Sequence, residues 1–515
     1  VWFGKGACIG ILVASLAAPG LGAAMQTSIG GRQIDLDATL TVREVVEQDR
    51  DTTHEPTLEQ LKVRFAAALT DWLHFDSTTI GSHGGPVLTS DPSGIYNIGD
   101  VFQSHSWGVD FDELYFDLFL GPVDVRAGMQ KVSWGKLDRF QPNDLINPYA
   151  YNDPFLLDEA ERKIGIPALD ASYYLPQSWG APPESRITAV WVPRYFPYRF
   201  PPSQCVVENG VSRCTLERWF PPVALPGTTF VIPPPLVPSP VVVPIGFRTE
   251  NIGQPAFRLE NSEIALRLSA LVHDVDVALY YFHGFDIEPA FNLTAVAFGQ
   301  PDPMSPIGVM NLSAETTLTA HFEPINSGGA DFQYAFGDFT VRGEAAYVDD
   351  RPFARDIHNL VNNPLLLAPQ IQQALILLAQ GKGSVPIQLP PAFAVRDAVE
   401  WGLGGDYTYE GYLVLLQVNQ TDVINNDVPL LIKNIDTRLL LNLRKNFLAD
   451  TLRTRFVAVQ GIESGYTFFR PVIGYQITDQ LGVEAGYLFI SGRSQSVVGQ
   501  YKNNKEAWFQ VEYRL

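Results

Sequence analysis

Between Trp134 and Pro167 the chain carries Lys136, Asp138, Arg139, Asp144, Asp158, Glu159, Glu161 and Arg162, a dense mixture of both signs. A second set, Lys62, Arg64, Arg126, Arg267, Arg342, Arg438, Arg444, Arg453 and Arg455, falls on the polar faces of stretches that alternate apolar and polar residues. Neither set has the composition of a bond-making site. Facing each other across a narrow passage with low-dielectric walls, they would form a pore constriction against a basic lumen wall. The transverse field between them would orient dipolar solutes and sort ions. The plainer reading is mutual pairing, which keeps charges from being buried alone. Both readings stand at the level of sequence.

Patterns that would do covalent chemistry are missing. There is no Gly-x-Ser-x-Gly elbow, no His-Glu-x-x-His, no Walker loop and no Cys-x-x-Cys-His haem attachment motif. His74, His83, His105, His273, His283, His321 and His358 are scattered without a partner in sequence. No catalysis, cofactor or resident metal is therefore expected. The 36 basic residues are outnumbered by 56 acidic ones, a net charge of −20, which argues against nucleic acid as a partner. Cys205 and Cys214 bracket Asn209-Gly210, the preferred type I′ hairpin pair, so a local disulfide is expected in an oxidising compartment.

The elements that must hold these charges show in the patterning. Residues 1–24 have one early charge, Lys5, then an apolar run from Ala7 to Ala18 and small residues to Ala24, the layout of a secretory signal peptide. The whole chain is 46% hydrophobic, yet beyond residue 24 no uncharged apolar run is long enough for a spanning helix. The apolar residues instead alternate. Ile34, Leu36, Ala38 and Leu40 oppose Asp35, Asp37 and Thr39; Ile264, Leu266 and Leu268 oppose Glu263, Arg267 and Ser269; Leu439, Leu441 and Leu443 oppose Arg438, Asn442 and Arg444. The last residues, Glu506 to Leu515, alternate as well, and a closed barrel gives such a terminal strand a partner where a soluble sheet would leave an edge.

Tight turns near 70–71, 121–122, 273–274, 337–338, 410–411, 446–450 and 478–480 take turns with long connections. The longest of these are 134–167, 195–260 and 349–395. The pattern predicts one all-β domain over 25–515: a transmembrane antiparallel β-barrel of about eighteen strands, sixteen being the alternative count, with short periplasmic turns and long extracellular loops. One strand is placed over 315–336. Pro-rich 221–244 reads as a semi-rigid arm of the disulfide-bearing loop. Residues 364–380, with Leu366, Ile371, Leu375 and Leu378 at helical spacing, read as an amphipathic helix on or in the barrel mouth.

A family resemblance enters at Arg126-Ala127-Gly128-Met129-Gln130-Lys131-Val132-Ser133-Trp134-Gly135. This stretch resembles the Arg-x-Gly-x-Gln-x-x-x-Trp-Gly strand of a porin-like outer-membrane family of Gram-negative bacteria, classed by a domain of unknown function. Leu145-Ile146-Asn147-Pro148, Leu157-Asp158-Glu159 with Arg162, Tyr280 to Gly284, Val341 to Tyr347 and the hairpins after Asp436 are similar to it too. Leu515 departs from it, standing where such barrels usually end in Phe. The resemblance implies an outer-membrane channel whose substrates are unsettled. Together these features predict a porin-like channel for small or amphiphilic solutes in the bacterial outer membrane. Its expected partners are membrane lipid, lipopolysaccharide and the barrel-assembly machinery acting on the C-terminal strand. The rival readings are a sheath around a periplasmic multihaem cytochrome, which would require a periplasmic partner, and the outer-membrane component of an exporter.

Overall fold

The computed structural model describes the chain from Met25 to Leu515 except for residues 30–31, 48–56, 85–99, 104–106, 151–153, 156–157, 197, 199–203, 209–210, 216–228, 235, 251–254, 359–362 and 364. The segment 1–24, read as a signal peptide, and the Asn209-Gly210 turn lie outside the described residues.

Eighteen antiparallel strands close into a barrel. In chain order the first nine are Arg32–Glu47, Leu58–Ala68, Leu73–His83, Trp107–Leu120, Val123–Gln130, Ile166–Tyr174, Arg186–Val192, Glu263–Val272 and Val275–Phe285. The second nine are Pro324–Phe336, Phe339–Ala354, Phe393–Tyr409, Tyr412–Val423, Ile435–Phe447, Leu452–Gly461, Tyr466–Gln476, Leu481–Gly492 and Glu506–Arg514. Each pairs with its neighbours in sequence order. The last closes on the first, with Val42 opposite Val511 and Leu515 N–H donating to the Ala38 carbonyl. Closure satisfies every edge, which an open sheet of this size could not do. Two short strands extend it at the rims: Met25–Ile29 along Arg32–Leu36, and Asp100–Gln103 beside Gly108–Asp110.

Alternation decides which face each residue takes. Phe116, Leu266, Leu279, Leu416, Leu439 and Ile473 stay exposed on the outer face. Asp76, Gln417, Asn419, Asp436, Asn442 and Arg470 point inward and are buried. At the short-turn rim Phe336, Phe339, Tyr407 and Tyr409 stack in sequence, with ring centroids 5.6, 4.3 and 6.0 Å apart. No described helix is long and apolar enough to cross a membrane, a finding that says nothing of a β-barrel.

Two expectations change. The single strand placed over 315–336 is two: Val309–His321 and Pro324–Phe336, broken at Phe322-Glu323. Only the second belongs to the barrel. The alternation runs almost unbroken through the junction, so periodicity alone could not divide it. The first strand belongs to a separate seven-stranded sheet built from the long loops. In that sheet Val309–His321 pairs with Ala290–Pro301 and, in parallel, with Val241–Glu250. The second change is in the Pro-rich segment. Thr229–Ile232 pairs with Val241–Pro244 as a hairpin, with Pro233, Pro234, Pro238 and Pro240 in the connection, so the described part is not a polyproline arm. The helix expected over 364–380 forms as Ala368–Ala379 and packs against this sheet. In the same sheet Cys205 and Cys214 stand directly opposite each other in an antiparallel pair.

Candidate site: a loop across the lumen

The connection after Val123–Gln130 turns into the barrel. Its root is a small polar knot. Asn147 accepts from Val132 N–H at 2.8 Å and donates to the carbonyls of Gln130 and Ile164 at 3.0 and 2.8 Å, tying both ends of the loop together. Lys163 donates to Asp144 Oδ2 at 2.6 Å, to the Val132 carbonyl at 3.0 Å and to Ser133 at 3.0 Å, and Tyr149 donates to the same Asp144 oxygen at 2.7 Å. Around the knot Trp134, Leu145 and Ile146 fill the space against the inward residues Ile166, Val190, Phe282 and Val348.

From this root the segment Lys136–Asn143 reaches the far wall. Leu137 N–H donates to Glu344 at 2.7 Å, Lys136 N–H donates to the same carboxylate, and the Lys136 ammonium pairs with Asp276. At the tip, Asp138 N–H donates to Gln417 at 3.0 Å, and Gln417 and Asn419 donate to the carbonyls of Arg139 and Phe140, each at 2.9 Å. Phe140 lies against the Arg438 guanidinium, 4.8 Å away, on the strand opposite Val123–Gln130 in the ring. Glycines in the wall make the seat. A Cβ at Gly402 would lie 2.5 Å from a Leu137 methyl, and one at Gly329 would lie 1.9 Å from Asn143 Oδ1.

A second arm, Pro154 to Arg162, reaches the next strands. Phe155 packs on Phe468 at 5.0 Å, and Asp158 pairs with Arg455, Arg470 and, at 3.7 Å, Arg139. Burial alone would raise the Asp158 carboxyl. The charges of Arg470 and Arg455 outweigh it and hold the group below its ordinary range. Burial pushes Arg139 down to about 10 and raises the neighbouring Glu159.

The structure thus sorts the charges singled out in the sequence. Asp138, Arg139 and Asp158 meet the wall, Asp138 lying 3.6 Å from Arg342, which also pairs with Asp406. Asp144 is held inside the root. Arg162 donates to the carbonyls of Ala150 and Pro154 at 3.2 and 2.9 Å. Glu161 turns back to accept from Asp158 N–H at 3.0 Å in a capping box, so it does not face the wall. Among the wall residues, Arg438 pairs with Asp436 at 3.4 Å, Arg453 donates to Gln476 at 2.6 Å and Arg267 lies 5.6 Å over the Tyr280 ring. Pairing therefore quenches much of the field that the sequence allowed for. The wall facing away from the loop is wetter: Lys62 beside Asp112 and Arg64 beside Asp76 keep 51% and 53% of their side chains exposed, whereas Arg470 keeps none.

Glu344, Gln417, Asn419 and Arg470 went unrecognised in the sequence. The available signal was their inward parity on alternating strands, together with Gly402 and Gly404 in a strand interior, where glycine marks close approach of another chain segment. A cavity opens on each side of the loop. One of about 460 Å³ faces the short-turn rim and is lined by Arg444, Arg453, Arg455, Glu484, Glu512 and Arg514. Another, of about 280 Å³, faces the long-loop rim and is lined by Tyr149, Arg162, Glu288, Arg351, Glu400 and Trp401. Burial and the nearby Asp286 push Glu288 up to about 7. Among the described residues one acidic group has metal-ligand spacing: Asp349, Asp350 and Asp397, with carboxylate oxygens within 4.8 Å of one another at the long-loop rim.

A family model described as a protein of unknown function, DUF1302, matches residues 87–432. Comparison with curated proteins found no match. Among solved structures the chain is similar to OccK8 (OprE) of Pseudomonas aeruginosa, at 9% identity and a TM-score of 0.46, covering 94% of this chain and 98% of that one. It is also similar to Salmonella typhi OmpF in complex with daunomycin, at 8% identity and a TM-score of 0.39, covering 95% and 100%. A third is Pseudomonas aeruginosa OpdK with vanillate, at 9% identity and a TM-score of 0.43, covering 94% and 98%.

Proposed function

The chain belongs to the DUF1302 family, and from that premise we propose that it is a passive outer-membrane channel for small or amphiphilic solutes, with the segment 134–167 as its constriction. The observation that carries the reading is the crossing itself. A loop pinned from Gln130 to Asn419 narrows the lumen without filling it, and the cations left wet, Lys62 and Arg64, line the remaining passage beside Asp112 and Asp76. Solutes small enough for cavities of about 460 and 280 Å³ fit such a path.

Membrane placement rests on the outer face. An apolar band as continuous as Phe116, Leu266, Leu279, Leu416 and Leu439 would be an aggregation surface in water and suits hydrocarbon. Stacked aromatics at the short-turn rim suit the interface, and short periplasmic turns with long extracellular loops follow. Lipid and lipopolysaccharide are then the neighbours of the barrel, and Glu506–Arg514 is the strand offered to assembly machinery. On this topology Cys205 and Cys214 form an extracellular disulfide. After mild reduction, thiol labelling of intact cells should reach both, and labelling only after the outer membrane is opened would invert the topology.

The crossing loop counts against the sheath reading, because it occupies space a haem protein would need. The test of the channel reading is conductance of the purified protein in a planar bilayer. Stable unitary steps support it; a protein that inserts without conducting overturns it.

A further inference from the structure

We propose that the crevice between helix Ala368–Ala379 and the long-loop sheet is a binding site for the alkyl chain of an amphiphile. The helix presents Ile371, Ala374 and Leu378, at spacing of three and four, and all three are buried against the sheet. The sheet answers with Ile232, Val243, Ala297, Val309 and Val385, each buried. Packing is incomplete between them. Small side chains, Ala295, Ala297, Ala314 and Ala374, meet where larger ones would close the gap, leaving a cavity of about 90 Å³. Closely packed interiors seldom keep such voids.

The lining decides the ligand class. Among the described residues it is aliphatic apart from the Phe230 ring, and Ser313 and Thr316 are the hydroxyl-bearing side chains. Water in a cavity needs two to four polar partners, so this one favours an apolar guest. With a single ring to stack on, an alkyl segment fits better than an aromatic or a sugar. The approach is apolar too. The helix carries no charged residue from Ala368 to Ala379, and Leu365 and Leu366 are exposed just before it. An amphiphile could thus seat its tail here and leave its head in water. The assignment goes beyond the channel reading and stands or falls without it, because occupancy is read directly and not as transport.

The experiment is a crystal structure of the full protein with 12-bromododecanoate, read by bromine anomalous scattering. A peak between Ala297, Ala314 and Ala374 is expected. In lipid nanodiscs, radiolabelled dodecanoate should bind the native protein at least tenfold more tightly than Ala374→Phe, with Ala314→Leu as a second filling variant should the first misfold. A folded protein with no bromine in the crevice, or one in which side chains of residues 216–228 or 359–364 fill it, would overturn the proposal. So would equal binding by native protein and both filled variants.

Discussion

Lys163 Nζ sits 2.6 Å from Asp144 Oδ2 at the root of the inward loop, and each side chain is under 5% exposed. The pair is bonded on both sides, by Tyr149 and by the Val132 carbonyl, so neither charge is buried alone. Removing one partner strands the other. Asp144→Asn should cost about 3–5 kcal/mol, as broken buried pairs do. Asp144→Leu with Lys163→Met should cost less than either single change. Thermal unfolding in detergent reads this, and equal losses from single and double variants would show that the pair does not hold the root.

Asp158 is the loop carboxylate that meets the most guanidinium groups. Asp158→Asn should shift ion selectivity toward anions, since Arg139, Arg455 and Arg470 then lack their counter-charge. The shift should fade in about 1 M salt, where the screening length is about 3 Å. Glu161→Gln should change selectivity little, because that carboxylate caps its own helix. Reversal potentials across a salt gradient separate the two, and equal shifts would contradict the sorting of loop charges.

Leu441 points outward near the middle of Ile435–Phe447, whereas Gln60 points inward among the wet charges. Leu441→Arg should cost about 2–4 kcal/mol, the range for a cation at mid-bilayer on a barrel's lipid face. Gln60→Arg should cost under about 1 kcal/mol. Urea unfolding in vesicles reads both, and similar tolerance would invert the register.

Glu288 is raised to about 7 by burial first and by Asp286 second. A carboxyl raised in the folded state binds its proton more tightly there than in the unfolded chain. Stability from this group is therefore present below its ordinary value near 4.5 and is lost as pH rises toward 7. Glu288→Gln should leave stability nearly unchanged at pH 4 and raise it at pH 8 by on the order of 2 kcal/mol, seen as a higher melting temperature at pH 8 only. The same difference at both pH values would place the titration elsewhere.

The barrel was legible because one rule, alternation, governs every strand from Arg32 to Arg514. The same rule hid the second sheet. Val309–His321 alternates like its barrel neighbour, and its parallel pairing with Val241–Glu250 joins segments far apart in sequence that no local pattern announces. The loop charges were visible as a cluster, but their division into root, cap and wall contacts depends on which strands lie opposite. Arg470 shows the limit. One Arg in Phe468-Phe469-Arg470-Pro471 looks ordinary until Asp158 arrives from across the lumen.

The central claim is that the loop tip narrows the pore. Lys136 and Asn143 both bond Glu344, so the tip between them can be excised while the Asp144–Lys163 root stays intact. Replacing Leu137–Pro142 with Gly-Gly and measuring single-channel conductance in a planar bilayer tests the claim directly. The account predicts a folded barrel with larger unitary conductance and weaker ion selectivity. Unchanged conductance from a folded variant would contradict it and move the constriction to another loop.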